Sequence, residues 1–290
     1  MGYKVFFGNY KGGVGKTTSA YNIAVELAKD PNDKKKVLLI DLDPQSSLSE
    51  VCMSAFDKDK QLDQLAKDET LNYIFTVCMQ AKKMGRPHFA VSADKTVKTA
   101  NAIDFIPNSL FSPFGGLDKI SMDMGKSAEN LLVLRDFIEG NNLNGKYDFI
   151  FFDCPPSNNL ITQSAFLYSD YYVIPTIMDP LSSKGVQHYI SVIERIYKNY
   201  CEEGEYADAL SLLFGSAPQL IGVFETMRKG NTNTGIYRKG IESAGYYLFE
   251  HEIKDRKDTS ETMGMGAEAN SYEYVALAAE FLGRIKAIGG

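Results

Sequence analysis

Six short apolar runs punctuate the chain: Val5–Phe7, Val37–Ile40, Ile103–Ile106, Phe149–Phe152, Tyr171–Ile174 and Leu220–Phe224. None alternates with polar residues, which is the pattern of strands buried on both faces of a parallel sheet. Between them, apolar positions recur at helical spacing over Ser19–Lys29, Ala128–Ile138, Lys184–Tyr200 and Thr234–Ala244, and Ser271–Ile285 reads as a last helix. Alternation of strand and helix predicts an α/β fold, a doubly wound, mostly parallel sheet flanked by helices. The stretch from Ala55 to Val97 is charged, Met-rich and weakly periodic, and predicts helical cover with loops. No repeat or low-complexity tract breaks the pattern, so residues 1–290 read as a single domain.

In such sheets ligands bind beyond the carboxyl ends of the strands, so the residues after each run matter most. After the first run comes Gly8-Asn9-Tyr10-Lys11-Gly12-Gly13-Val14-Gly15-Lys16-Thr17-Thr18, placed between a strand and a helix. Glycines let successive backbone N–H groups turn inward, and the following helix adds its unpaired N–H groups and positive dipole end. Gly12, Gly13, Val14 and Gly15 therefore predict a phosphate cradle, with Lys16 reaching the β- and γ-phosphates and the Thr17 hydroxyl on Mg²⁺. The usual first glycine of a P-loop is replaced by Tyr10, and a second lysine, Lys11, stands beside Gly12 and Gly13. This is the deviant form of the box.

Two other runs end in acids. Asp41-Leu42-Asp43-Pro44-Gln45 follows the second, and Asp153-Cys154-Pro155-Pro156-Ser157 follows the fourth. Four hydrophobic residues and then Asp153 form a Walker B pattern, whose carboxylate serves Mg²⁺ directly or through water. Of Asp41 and Asp43, one is expected to orient water and the other to serve Mg²⁺ or the structure.

Together these three motifs closely resemble the ParA/Soj family of chromosome- and plasmid-partition ATPases. Looser similarity continues through Ala102–Asn108, Ile174–Gly185, Gly222–Met227 and Ile253–Glu261. The resemblance implies ATP and Mg²⁺ as ligands, with Lys16 on the β/γ-phosphates, Thr17 on Mg²⁺ and Thr18 on the α-phosphate. It implies that Lys11 reaches across a dimer interface to the partner's ATP. It makes Asp43 the group that orients the attacking water, with Asp41 and Asp153 supporting the Mg²⁺ shell. Thr226, Met227, Ile253 and Lys254 would flank the adenine. As partners it implies a second copy of the chain, a ParB-like centromere-binding protein and non-specific double-stranded DNA, in a cytoplasmic, nucleoid-associated setting. The phosphate loop begins almost at once, as in the short, Soj-like type without an operator-binding extension.

Charge complicates the DNA role. The chain carries 31 Lys and Arg against 37 Asp and Glu, a net of −6, so any nucleic-acid surface must be a local patch. Where the family places two DNA-contacting basic residues, this chain has Asp258 and Asn231. A substitute patch is expected from Arg228, Lys229, Arg238 and Lys239, a stretch without acids, and from Arg256 and Lys257. Rival readings share the deviant box. A MinD-like membrane ATPase would need a basic amphipathic C-terminal helix, and the short Glu280–Lys286 segment reads better as packed on the core, predicting no membrane contact. An iron protein would need exposed cysteines to hold a cluster, and Cys154 sits inside the Walker B turn. A metabolic ligase would need a substrate motif of its own. The four cysteines form no CxxC pair and the three histidines are scattered, so neither suggests a zinc site or a disulfide framework.

Overall fold

The computed structural model describes residues 2–86, 91–230, 233–256, 262–263 and 272–289. Its strands are β1 (Tyr3–Phe7), β2 (Val37–Asp41), β3 (Lys98–Ala100), β4 (Ile103–Ile106), β5 (Phe149–Asp153), β6 (Tyr171–Thr176) and β7 (Gln219–Glu225). They form one sheet in the order β3-β4-β2-β5-β1-β6-β7, parallel throughout except for β3 against β4. All six apolar runs are strands, each within two residues of its expected limits. β3 was not foreseen: it is a three-residue edge with only one apolar side chain, held by pairing with β4 rather than by a hydrophobic pattern.

The helices are α1 (Lys16–Lys29), α2 (Ser47–Phe56), α3 (Leu71–Lys83), α4 (Leu117–Met124), α5 (Val133–Gly140), α6 (Leu143–Lys146), α7 (Leu160–Tyr168), α8 (Pro180–Tyr197), α9 (Ala207–Phe214), α10 (Gly235–Ser243) and α11 (Tyr272–Ile288). Successive strand residues point to opposite faces, so β1 sends Val5 and Phe7 one way and Phe6 the other. Val5 and Phe7 join Leu39, Phe151 and the buried sides of α1, α2 and α11. Phe6 joins Ile40, Phe152 and the buried sides of α3, α4, α5, α7 and α8. The sheet is thus covered on both faces, which is why its strands show no polar alternation.

Local chemistry explains where helices depart from expectation. α8 begins four residues before Lys184, because the Asp179 carboxylate accepts from the Leu181 and Ser182 amides at 3.0 and 2.7 Å and Pro180 takes the first turn. α7 went unrecognised because nearly every residue from Ile161 to Tyr168 is buried, leaving no polar face to set a period. The 55–97 stretch does hold a helix, α3, among loops and short turns.

α11 closes the face of the sheet behind α1. Phe281 is fully buried, its ring stacked on Phe7 at 6.3 Å and edge-on to Phe151 at 5.6 Å between centroids. Phe281→Ala should therefore cost about 3–5 kcal/mol. Urea unfolding of the purified variant measures it; a loss under about 1 kcal/mol would mean that α11 is not part of the cooperative core.

Candidate active site

Strand register assembles the site. In the sheet Phe7 lies beside Asp153, and Asp153 lies beside Asp41, so the ends of β1, β5 and β2 stand level. The chain leaving β1 becomes the glycine loop at that level. Gly13 and Gly15 hold φ of 69° and 74°, the left-handed region that favours glycine, and a Cβ on Gly12 or Gly13 would meet nothing within 4 Å. α1 then starts at Lys16, bringing its first-turn amides to the loop.

Lys16 and Asp153 are both buried. The Thr17 hydroxyl donates to one Asp153 oxygen at 2.7 Å, while the other oxygen, Oδ1, is buried and has no hydrogen-bond partner among the described residues. Burial, reinforced by Asp41, pushes the Asp153 carboxyl well above the usual carboxylate range. Burial also lowers the Lys16 ammonium, against the pull of Asp153 and Asp43. Three carboxylates thus converge near one ammonium, an arrangement short of positive charge. A divalent cation fits it: one hydroxyl and one orphaned carboxylate oxygen are the few protein donors that Mg²⁺ takes when phosphate and water complete its shell.

Asp41, expected to support the Mg²⁺ shell, is held by its neighbours. Its Oδ2 accepts from the Ser49 amide and hydroxyl at 2.8 and 2.6 Å, and its Oδ1 from the Asp43 amide at 3.1 Å. Burial raises its carboxyl to about 7 despite these bonds. Both oxygens brace the turn and the start of α2, so Asp41 holds the shape of the turn that carries Asp43. Asp43, by contrast, lies half-exposed on the wall of a cavity of about 950 Å³ that Gly13, Lys16, Thr18, Met227 and Met263 also line. Asn108 fixes the backbone of this turn: its amide donates to the carbonyls of Asp41 and Asp43 at 3.0 and 2.8 Å.

The expected adenine set splits. Only Met227 lines the cavity. The Thr226 hydroxyl is buried and donates to the Val14 carbonyl at 2.8 Å, with the Thr176 carbonyl 3.1 Å away, while the Thr226 amide donates to the Thr176 carbonyl at 2.8 Å, so this residue ties the phosphate loop to β6. Ile253 is buried against β7, its amide on the Glu225 carbonyl, and Lys254 pairs with Glu273 at 3.7 Å outside the cavity. Met263 was missed, since a lone methionine in an aperiodic glycine-rich stretch gives no positional signal.

The expected basic patch is largely neutralised. Arg228 pairs with Glu252, Arg238 with Glu225 at 3.0 Å and Arg256 with Glu273 at 3.1 Å. The acids stand 13 to 24 residues away in sequence, outside the acid-free stretch that suggested the patch, so the pairing is set by the fold. Lys229 and Lys239 are exposed, while Lys257, Asn231 and Asp258 lie outside the described residues. Lys11 is half-exposed and directed within its own subunit, to Asp179 and to the Ser182 hydroxyl at 3.0 Å.

The sheet order, the loop between β1 and α1 and the acid at the end of β5 define a P-loop NTPase fold. A family model described as an AAA domain matches residues 3–204. The chain belongs to this family, and its likeness there is to the ParA/Soj-type partition ATPases. It is 29% identical over 256 residues to a virulence plasmid ParA family protein of Chlamydia psittaci, covering 85% of each chain. Its fold matches a plasmid partition protein of Borrelia burgdorferi bound to AMPPNP, with a TM-score of 0.69, 21% identity and coverage of 99% of this chain and 100% of the other. It also matches a cobyrinic acid a,c-diamide synthase of Mycobacterium smegmatis bound to an ATP analogue and magnesium, with a TM-score of 0.68, 19% identity and coverage of 100% and 98%.

Thr226→Val keeps the shape and the Thr226 amide bond to the Thr176 carbonyl at 2.8 Å, but removes the hydroxyl that holds the Val14 carbonyl. It should destabilise the protein by about 1–3 kcal/mol and weaken binding of a fluorescent ATP analogue. Unchanged stability and affinity would show that this tie does not shape the loop.

Proposed function

We propose that the chain is a cytoplasmic, nucleoid-associated ATPase of DNA segregation that binds ATP and Mg²⁺, dimerises on ATP and hydrolyses it to ADP and phosphate. The observation that carries this reading is the orphaned, buried Asp153 oxygen beside Thr17 and Lys16, at the mouth of a glycine loop. The likeness to partition proteins supports the cellular role, and the cargo is a plasmid or a chromosome. A ParB-like centromere-binding protein is the proposed stimulator.

The reaction is in-line attack of water on the γ-phosphate, in which little covalent chemistry falls to the protein. Lys16 holds the β/γ-phosphates and offsets their growing charge. Thr17 and Asp153 would hold Mg²⁺, which would supply positive charge against the growing charge of the phosphates. The loop amides from Gly12 to Gly15 would cradle the chain of phosphates, and Thr18, on the cavity lining, would contact the α-phosphate. Asp43, on the cavity wall, orients the attacking water. Lys11 acts on the partner's nucleotide. Among the described residues no helix is long and apolar enough to cross a membrane, and α11 buries Leu277, Phe281 and Ile285 in the core, which supports reading it as a packed helix.

Asp43→Ala should keep ATP binding and ATP-dependent dimerisation while lowering phosphate release by about 10²-fold or more. Lys16→Ala should weaken nucleotide binding itself. Wild-type turnover in Asp43→Ala would remove Asp43 from the mechanism. Lys11→Ala should bind ATP yet sediment as a monomer with it.

For non-specific duplex DNA, the ion pairs shift the proposed contacts from the arginines to Lys229 and Lys239. Two subunits then offer about four phosphate contacts, and log affinity should fall with log salt at a slope near −3 to −4. Fluorescence anisotropy of the ATP-bound protein across a salt series measures it. Lys229→Ala/Lys239→Ala should flatten the slope and Arg256→Ala should not. The absence of binding at low salt would refute the DNA role.

A further inference from the structure

Lys11 is anchored at three points inside its own subunit. Its amide donates to the Asn9 side chain at 3.0 Å, and the Asn9 amide group in turn holds the Pro175 carbonyl at 2.9 Å. Its carbonyl accepts from the Lys16 ammonium at 3.2 Å. Its own ammonium reaches one Asp179 oxygen and the Ser182 hydroxyl at 3.0 Å. The other Asp179 oxygen caps α8, accepting from the Leu181 and Ser182 amides. One carboxylate therefore does two jobs, and the lysine side chain is fixed to the rigid first turn of an 18-residue helix.

This geometry conflicts with service in a second subunit. Two of the three donors of the ammonium are already spent on Asp179 and Ser182, and both contacts hold the side chain against its own α8. We propose that Asp179 and Ser182 form an intrasubunit latch on Lys11, which must open before this lysine can complete the partner's site. The inference rests on the reading that Lys11 acts in trans. Lys16 supplies a link to nucleotide: phosphates in the loop compete with the Lys11 carbonyl for the same ammonium. Loss of that bond loosens the backbone from which Lys11 projects, so ATP both fills one site and releases the lysine intended for the other. Asp179 is in this sense a positioning residue, acting through Lys11.

The pair is partly exposed, with side-chain accessibilities of 41% for Lys11 and 32% for Asp179. Exposed pairs of this type are modest, and opening one changes an equilibrium by about two- to fivefold. A dimer opens two latches, so the effects multiply to about tenfold.

Asp179→Asn is the informative variant, because asparagine caps a helix as well as aspartate and removes only the charge. Ser182→Ala is a second, since the cap uses only the Ser182 backbone. In the protein without nucleotide, acylation of Lys11 by a water-soluble amine reagent, read by peptide mass spectrometry, should rise about threefold in Asp179→Asn and less in Ser182→Ala. With a non-hydrolysable ATP analogue, sedimentation should show the dimer dissociation constant of Asp179→Asn about tenfold lower, with monomer affinity for the analogue unchanged. Lys11→Ala/Asp179→Asn should behave as Lys11→Ala alone.

The two readouts separate the two ideas. If Lys11→Ala dimerises as wild type does, the trans role fails, while the acylation rates still decide whether the latch exists. Equal acylation of Lys11 in wild type and both variants overturns the latch. Faster acylation with an unchanged dimer constant overturns its role as a gate.

Discussion

Everything at the carboxyl edge of this sheet depends on burying Asp153 next to Asp41. Two carboxylates side by side in a dry sheet repel, and among the described residues neither is paired with an arginine. Removing such charges from water costs several kcal/mol per ion unless partners compensate. The strand register cannot avoid the problem, since β2 and β5 are held level by their flanking pairs with β4 and β1. The chain resolves half of it by giving Asp41 three donors. It leaves Asp153 with one hydroxyl and an unmatched oxygen. That unmet electrostatic demand is what makes the edge a site rather than a strand end.

The braces around the site follow from the same constraint. A loop of glycines has little shape of its own, because each glycine has more backbone states to lose. Thr226 therefore ties Val14 to β6, and Asn108 ties both aspartate carbonyls of the neighbouring turn. These ties come from strands on either side of β1 and β5. Rigidity at the phosphates is thus borrowed from the sheet, which lets the loop keep its backbone amides turned toward a ligand.

Parts of this design were legible in the amino-acid order and parts were not. Strands such as Phe149–Asp153 could be read because burial on both faces leaves an uninterrupted apolar run. The phosphate loop could be read because its glycines, Lys16 and Thr17 have to be consecutive to do their work. Residues whose roles arise from distant partners could not. Nothing near Asp41 in sequence marks it as satisfied, since its main partner Ser49 belongs to the next helix. Nothing near Arg228, Arg238 or Arg256 reveals the glutamates that neutralise them. α7 was hidden for the opposite reason: complete burial erases the contrast between faces. Short, sequence-local chemistry is readable, whereas charge balance is a property of the folded surface.

Lys11 shows why that distinction bears on function. From the sequence it is simply an extra lysine before a phosphate loop, with no need for a second cation five residues from Lys16. In the fold it has a definite place, on the cap of α8 and away from the cavity. A cation close to a phosphate site, but bonded elsewhere, would have two alternative sets of partners under the proposed latch. Bistability of this kind requires that neither state be deeply buried, and the partial exposure of both Lys11 and Asp179 meets that requirement. A fully buried pair would lock the chain in one state, and a fully solvated lysine would have nothing to switch from. In the proposed latch, the modest strength of the contact is the property that would allow nucleotide, through Lys16, to tip the balance.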